Sequence, residues 1–125
     1  MTRNLLIFTA LAEAATGMAM VTVPVFTVSL LLGASLDTPG AVAVARVTGI
    51  AMMSLALACL LTRDEGRTRA GRAIVTVMLA YNVAVAAILV HGNLVLRFDG
   101  IALWPAALAH FALAAWCVAV LRSPP

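Results

Sequence analysis

The sequence predicts an all-α integral membrane protein, an antiparallel bundle of four transmembrane helices whose N and C termini are both cytoplasmic. Three observations predict it. The 125 residues are 64% hydrophobic and only 10% charged, with a mean hydropathy of +1.10, far too apolar for a water-soluble domain of this length. The apolar residues fall into four runs, each long enough for a helix to cross a hydrocarbon core of ~30 Å. The arginines that flank those runs lie almost all on one side.

The first run extends from Leu5 to Gly33, interrupted by Glu13 and Pro24. At ~1.5 Å per residue a straight helix of that length would overshoot the bilayer, so a tilt or a break near Pro24 is expected. The span is placed at 5–23, with 24–32 as a kinked extension or an interfacial segment. A cleaved signal peptide is the rival, but the run is too long and carries a glutamate in its middle.

Residues 34–40 hold Ser35, Asp37, Thr38, Pro39 and Gly40, a turn cluster of the kind that separates helices. The second span follows at 41–62. The stretch from Arg63 to Arg72 is the one strongly charged segment, with two glycines and mixed signs, and reads as a solvated loop. A third span at 73–90, a second outer loop from His91 to Gly100 and a fourth span at 101–121 complete a single domain covering 1–125.

Lys and Arg resist translocation, so the side that accumulates them is the cytoplasm. Arg3, Arg63, Arg67, Arg69, Arg72 and Arg122 fall together, against Arg97 opposite. Connections this short imply an up-and-down bundle. The excess of arginine also gives a net charge of +3 and a pI near 9.7. Topology accounts for it, and with no basic stripe interleaved with aromatics a nucleic-acid partner is not expected. The lipid bilayer is the expected partner, with a homo-oligomer or a larger membrane complex as further candidates and the bacterial inner membrane as the location.

Ionisable groups inside hydrocarbon cost ~2.5 to 3.5 kcal/mol on insertion scales, so each one is a functional candidate. Glu13, Arg46 and His110 qualify. Counted from the cytoplasmic ends of their spans, Glu13 lies roughly 12 Å deep, Asn82 about 13 Å and His110 about 16 Å, which makes one polar layer near the midplane. Arg46 lies roughly 24 Å deep by the same count, where its side chain can snorkel outward or reach inward. Tyr81, beside Asn82, needs a partner for its hydroxyl.

Ala10, Glu13, Ala14 and Gly17 share a face of the first span, so the carboxyl lies on a small-residue stripe and points into the bundle. Ala41, Ala45 and Gly49 repeat every four residues on the second. Gly17, Gly49 and Ala45 are therefore the expected packing faces. Two chemistries are open to Glu13. It exchanges a proton for a basic ligand that comes and goes, or it forms a buried strut with Arg46 and His110; the purely structural alternative is a carboxyl satisfied by Asn82, Tyr81, Thr16 or His110.

Cys59 and Cys117 form no CxxC and lie near the cytoplasmic ends of their spans, where thiols stay reduced, so no structural disulfide is expected. The sequence carries no His-x3-His pattern or Cys/His cluster, and neither a metal nor another cofactor is expected. The methionines suit soft apolar packing. Trp104, near the outer interface, is expected to anchor there.

Two resemblances bear on this. The stretch Ala10-Leu11-Ala12-Glu13-Ala14-Ala15-Thr16-Gly17 resembles the first helix of the small multidrug-resistance transporters, four-helix dimers whose glutamate binds protons and cationic drugs in turn. That resemblance implies the same exchange at Glu13. Over its whole length the chain looks more like the bacterial four-helix membrane proteins grouped as DoxX-like. The residues that carry this are Pro24, the opening Ala45-Arg46-Val47-Thr48-Gly49 of the second span, and Trp104-Pro105 at the start of the fourth; it implies the bundle and no assigned reaction. The expected activity is proton-linked binding or transport of a small ligand, outside conventional enzyme chemistry, with a structural or accessory subunit of a larger complex as the alternative.

Overall fold

The structure is a computed structural model that describes residues 1–66 and 68–123. Arg67, which entered the arginine count, and the terminal Pro124-Pro125 lie outside the described residues. Among the described residues the chain forms five helices: α1 Thr2–Thr22, α2 Pro24–Leu32, α3 Pro39–Leu61, α4 Arg69–Leu94 and α5 Leu103–Arg122. All but α2 are long and apolar enough to cross a membrane.

The first apolar run is two helices because of Pro24. A proline has no N–H to donate to the carbonyl four residues back, and it drives the preceding residue out of the helical region. Val23 accordingly sits at φ −130°, ψ 56°, ending α1, and Pro24 occupies the first turn of α2, where its missing donor costs nothing. Thr27 covers the break by giving both its backbone N–H and its hydroxyl to the Val23 carbonyl. Gly33 then stops α2 in the left-handed region at φ 68°. Replacing Gly33 with Ala is expected to destabilise the fold by about 1–2 kcal/mol, because an L side chain disfavours that backbone and its Cβ would meet Asp99 and Gly100. Thermal unfolding in detergent checks this.

Thr38 caps α3 by accepting from the Ala41 N–H at 3.1 Å, and Thr68 caps α4 by accepting from Gly71 at 3.1 Å. The α4 helix runs four residues beyond the expected span at each end. At its start the Thr68 cap lets Arg69 and Arg72 enter the first turn while their charges stay outside. At its far end the helix carries through His91 to Leu94, and α5 begins only at Leu103, so the connection between them runs over 95–102 rather than 91–100. That loop turns at Arg97, a non-glycine residue at φ 62°, and is held by the Asn93 amide donating to the Phe98 carbonyl at 2.8 Å.

The helices pair closely as α1 with α3 and α4 with α5; α5 and α2 make the remaining lesser contacts with their neighbours. At the end of the molecule where α1 begins and α5 ends the two pairs meet in a packed apolar core, formed by Leu5, Leu6, Ala10, Ala56, Cys59, Val75, Met78, Leu113, Cys117 and Val120. Arg3 Nε pairs with Asp64 at 3.0 Å, tying the α3–α4 loop to α1, and Arg72 donates to the Leu121 carbonyl at 2.9 Å, tying the start of α4 to the end of α5. At the opposite end the pairs do not close on each other, and α2 bridges them. The Ala102 N–H donates to the Leu30 carbonyl at 2.9 Å, and Gly100 lies directly against the Leu31 and Leu32 backbone. Large apolar side chains, among them Phe8, Leu11, Val44, Ile50, Ile88, Leu108 and Phe111, project outward all round. In water that surface would aggregate; in a bilayer it is the solvated face.

Candidate functional site

Where the packed core gives way to the open half, four polar side chains meet. Glu13 is buried, 3% exposed, and its Oε2 accepts the Tyr81 hydroxyl at 3.0 Å. Asn82, the next residue on α4, is fully buried. Its amide donates to the Met78 carbonyl at 2.7 Å while its Oδ1 lies 2.7 Å from His110 Nδ1. The rings of Tyr81 and His110 meet edge to face, with centroids 5.9 Å apart. Helix geometry produces this grouping. Tyr81 and Asn82 are about 100° apart on α4, so one reaches α1 and the other α5.

Above this layer opens a cavity of about 410 Å³, within the range of small-molecule sites. Glu13 and Thr16 of α1, Thr48 and Met52 of α3, Tyr81 and Val85 of α4, and Ala106 and His110 of α5 contribute to its walls, and Leu31 of α2 to its outer end. Its lining is otherwise almost wholly apolar. Thr48, Ala51 and Ala109 line it and are also exposed, so it communicates with the exterior between α3 and α5 at a depth inside the spans. One oxygen of the Glu13 carboxyl and one nitrogen of the His110 ring are left without a protein partner among the described residues.

Arg46 is elsewhere. Ala45 and Gly49 are buried on one face of α3, Gly49 directly against Gly17 of α1, and the residue after Ala45 is turned about 100° aside. Arg46 is exposed and lines a shallow groove beside the α1–α2 break, with Thr22, Val23, Phe26, Ser29 and Val42. The ion pairs among the described residues are Arg3–Asp64 and Arg63–Asp64, both at the surface, so the strut between Glu13 and Arg46 does not form. His110 joins Asn82 rather than the Glu13 carboxyl. Gly17 and Gly49 face one another across the α1–α3 contact, and Ala45 is buried on the same side of α3.

Sequence reasoning missed the cavity's outer end, Leu31, and the hydroxyl of Thr48, which looks like an ordinary helical threonine; Thr16, expected as a candidate partner of the Glu13 carboxyl, lines the cavity. Sequence reasoning also missed Thr9, four residues before Glu13. Thr9 is fully buried, and its Oγ1 has no hydrogen-bond partner among the described residues. No pattern in the sequence marks that atom. Among the described residues no group of three or more His, Cys, Asp or Glu side chains is placed to hold a metal ion.

These features define a class: a small multi-pass helical membrane protein with a polar layer flooring an internal cavity. Comparison with models of known families, with curated proteins and with solved structures returned no match.

Proposed function

We propose that this protein binds a small, largely apolar ligand bearing a basic group within its bundle, and that binding exchanges the ligand for a proton on Glu13. In this reading the four long helices form an antiparallel bundle in the bacterial inner membrane, with both termini and the Arg63–Arg72 loop in the cytoplasm. The arginine distribution supports that orientation. The first-helix resemblance to small multidrug-resistance transporters points to the same chemistry at Glu13.

One observation carries the proposal. The Glu13 carboxyl lies at the floor of the cavity with a tyrosine hydroxyl as its protein partner and, among the described residues, no cation paired with it. A bare carboxylate surrounded by apolar groups is costly. A proton or a cationic ligand each removes that cost, and the two cannot occupy the same oxygen together. Binding of one therefore expels the other. The apolar walls accept a hydrocarbon body, and the opening between α3 and α5 admits it from the membrane.

The alternative, an accessory subunit docking through its small-residue faces, has less to stand on. Gly17 and Gly49 are occupied by the α1–α3 contact within the chain, and Ala45 is buried on the same face of α3 as Gly49.

The test is Glu13→Gln, which preserves shape and hydrogen bonding while removing the titration. In weakly buffered detergent solution, adding dodecylamine hydrochloride to the wild type is expected to release about one proton per ligand bound, read with a pH-sensitive dye. The Gln variant, with unchanged helical circular dichroism, is expected to release none. Equal release from both proteins would remove Glu13 from the exchange.

A further inference from the structure

We infer that His110 is a hydrogen-bond acceptor locked in one tautomer, so that the cavity selects ligands whose polar head carries an O–H or N–H. The inference rests on the cavity being a ligand site, and it adds the chemical requirement that the Glu13 exchange does not supply.

The lock begins at a backbone carbonyl. The Met78 carbonyl can only accept, so the Asn82 atom 2.7 Å from it is the amide nitrogen. With the amide nitrogen turned to Met78, the atom facing His110 is the carbonyl oxygen, another obligate acceptor. At 2.7 Å from that oxygen, His110 Nδ1 must carry the hydrogen. A neutral imidazole with Nδ1 protonated has a bare lone pair on Nε2. Asn82 is fully buried, so water does not compete for either of its bonds. The edge-to-face contact with Tyr81 restricts rotation of the ring.

His110 lines the cavity, and its Nε2 has no protein partner among the described residues. The Tyr81 hydroxyl cannot fill that role, since it donates to Glu13. The site thus presents a fixed acceptor at His110 next to the exchangeable carboxyl of Glu13. A ligand head with an O–H or N–H satisfies the histidine; an ether or a quaternary ammonium leaves the lone pair dry and unmet. Asn82 is the positioning residue that sets this preference, and His110 is the residue that touches ligand.

Two measurements test this, and the first needs no ligand and no variant. Nitrogen-15 NMR of His110 in the wild type at about pH 8, where an ordinary imidazole is neutral, is expected to show protonated Nδ1 and bare Nε2. A ring protonated at Nε2 would overturn the lock. The second compares 4-octylphenol with 4-octylanisole, neutral probes that differ by a donor. The wild type is expected to bind the phenol about five- to tenfold more tightly, the worth of one buried hydrogen bond. The preference should vanish in His110→Phe. In Asn82→Leu, which frees the ring to place its hydrogen on Nε2, it should vanish or invert. A preference that survives His110→Phe would place the donor's partner elsewhere and overturn the inference. Glu13→Gln should keep the phenol preference while losing proton release, so failure of the exchange and failure of the histidine lock are told apart.

Discussion

Leucine in place of Gly49 is expected to separate α1 from α3 and leave the protein unable to hold its helical fold. A Cβ at Gly49 would stand 2.5 Å from the Gly17 carbonyl oxygen, and a Cβ at Gly17 would stand 2.7 Å from that of Gly49. Backbone meets backbone at this crossing, so no flexible side chain is available to give way. Even Ala at either position requires the helices to shift apart, at a cost of about 1–3 kcal/mol for an overpacked site. Leucine adds a branched side chain where no space exists. The loss spreads beyond the contact, because α1 supplies Leu5, Leu6 and Ala10 to the shared core and Glu13 to the polar layer. Reversible unfolding in mixed micelles, titrated with SDS, is the measurement. The expected order of stability is wild type, then the two Ala variants, then Gly49→Leu, which is not expected to fold. Wild-type stability in Gly49→Ala would mean that the close approach does not hold the pair together.

The second large effect is at Tyr81. Its hydroxyl is the protein donor to Glu13, so Tyr81→Phe leaves a buried carboxyl group without its hydrogen bond. Removing one partner of a buried polar pair costs about 1–3 kcal/mol, whereas replacing both by apolar groups of similar shape is nearly neutral. Tyr81→Phe alone is therefore expected to destabilise the fold by about 1–3 kcal/mol, and Glu13→Leu combined with Tyr81→Phe to recover most of it. The same SDS titration, arranged as a double-mutant cycle, measures the coupling. Additive losses would show that the two side chains do not stabilise one another. The double variant also separates two roles for Glu13: a stable fold without proton release identifies the carboxyl as retained for exchange rather than for structure.

The placement of the polar layer explains how one chain combines a firm scaffold with a ligand space. The packed core occupies the end at which α1 begins and α5 ends, where all four long helices converge and the Arg3–Asp64 and Arg72–Leu121 contacts tie them together. Beyond Glu13 the two helix pairs part, and the gap is roofed by α2 rather than filled. Pro24 is the cause. It breaks the first apolar run into two helices, and the second of them crosses toward α5 to join Leu30 to Ala102.

The sequence by itself determined the four apolar helices, the interruption at Pro24, the small-residue stripes and the common depth of Glu13, Asn82 and His110. These follow from local rules: helix rise converts residue number into depth, 3.6-residue periodicity assigns faces, and proline lacks a donor. Tertiary structure alone decided which faces meet. Depth places Glu13 and His110 in one layer but cannot say that Tyr81 takes the carboxyl while Asn82 takes the imidazole, because that depends on the rotation of α4 between α1 and α5. Nor does it say where Arg46 points. Its helix is rotated to seat Gly49 against Gly17 of α1, and this carries the guanidinium away from Glu13. The cavity is legible only in three dimensions, since it is the space left when two well-packed helix pairs do not close on each other, and no residue in the sequence encodes a gap.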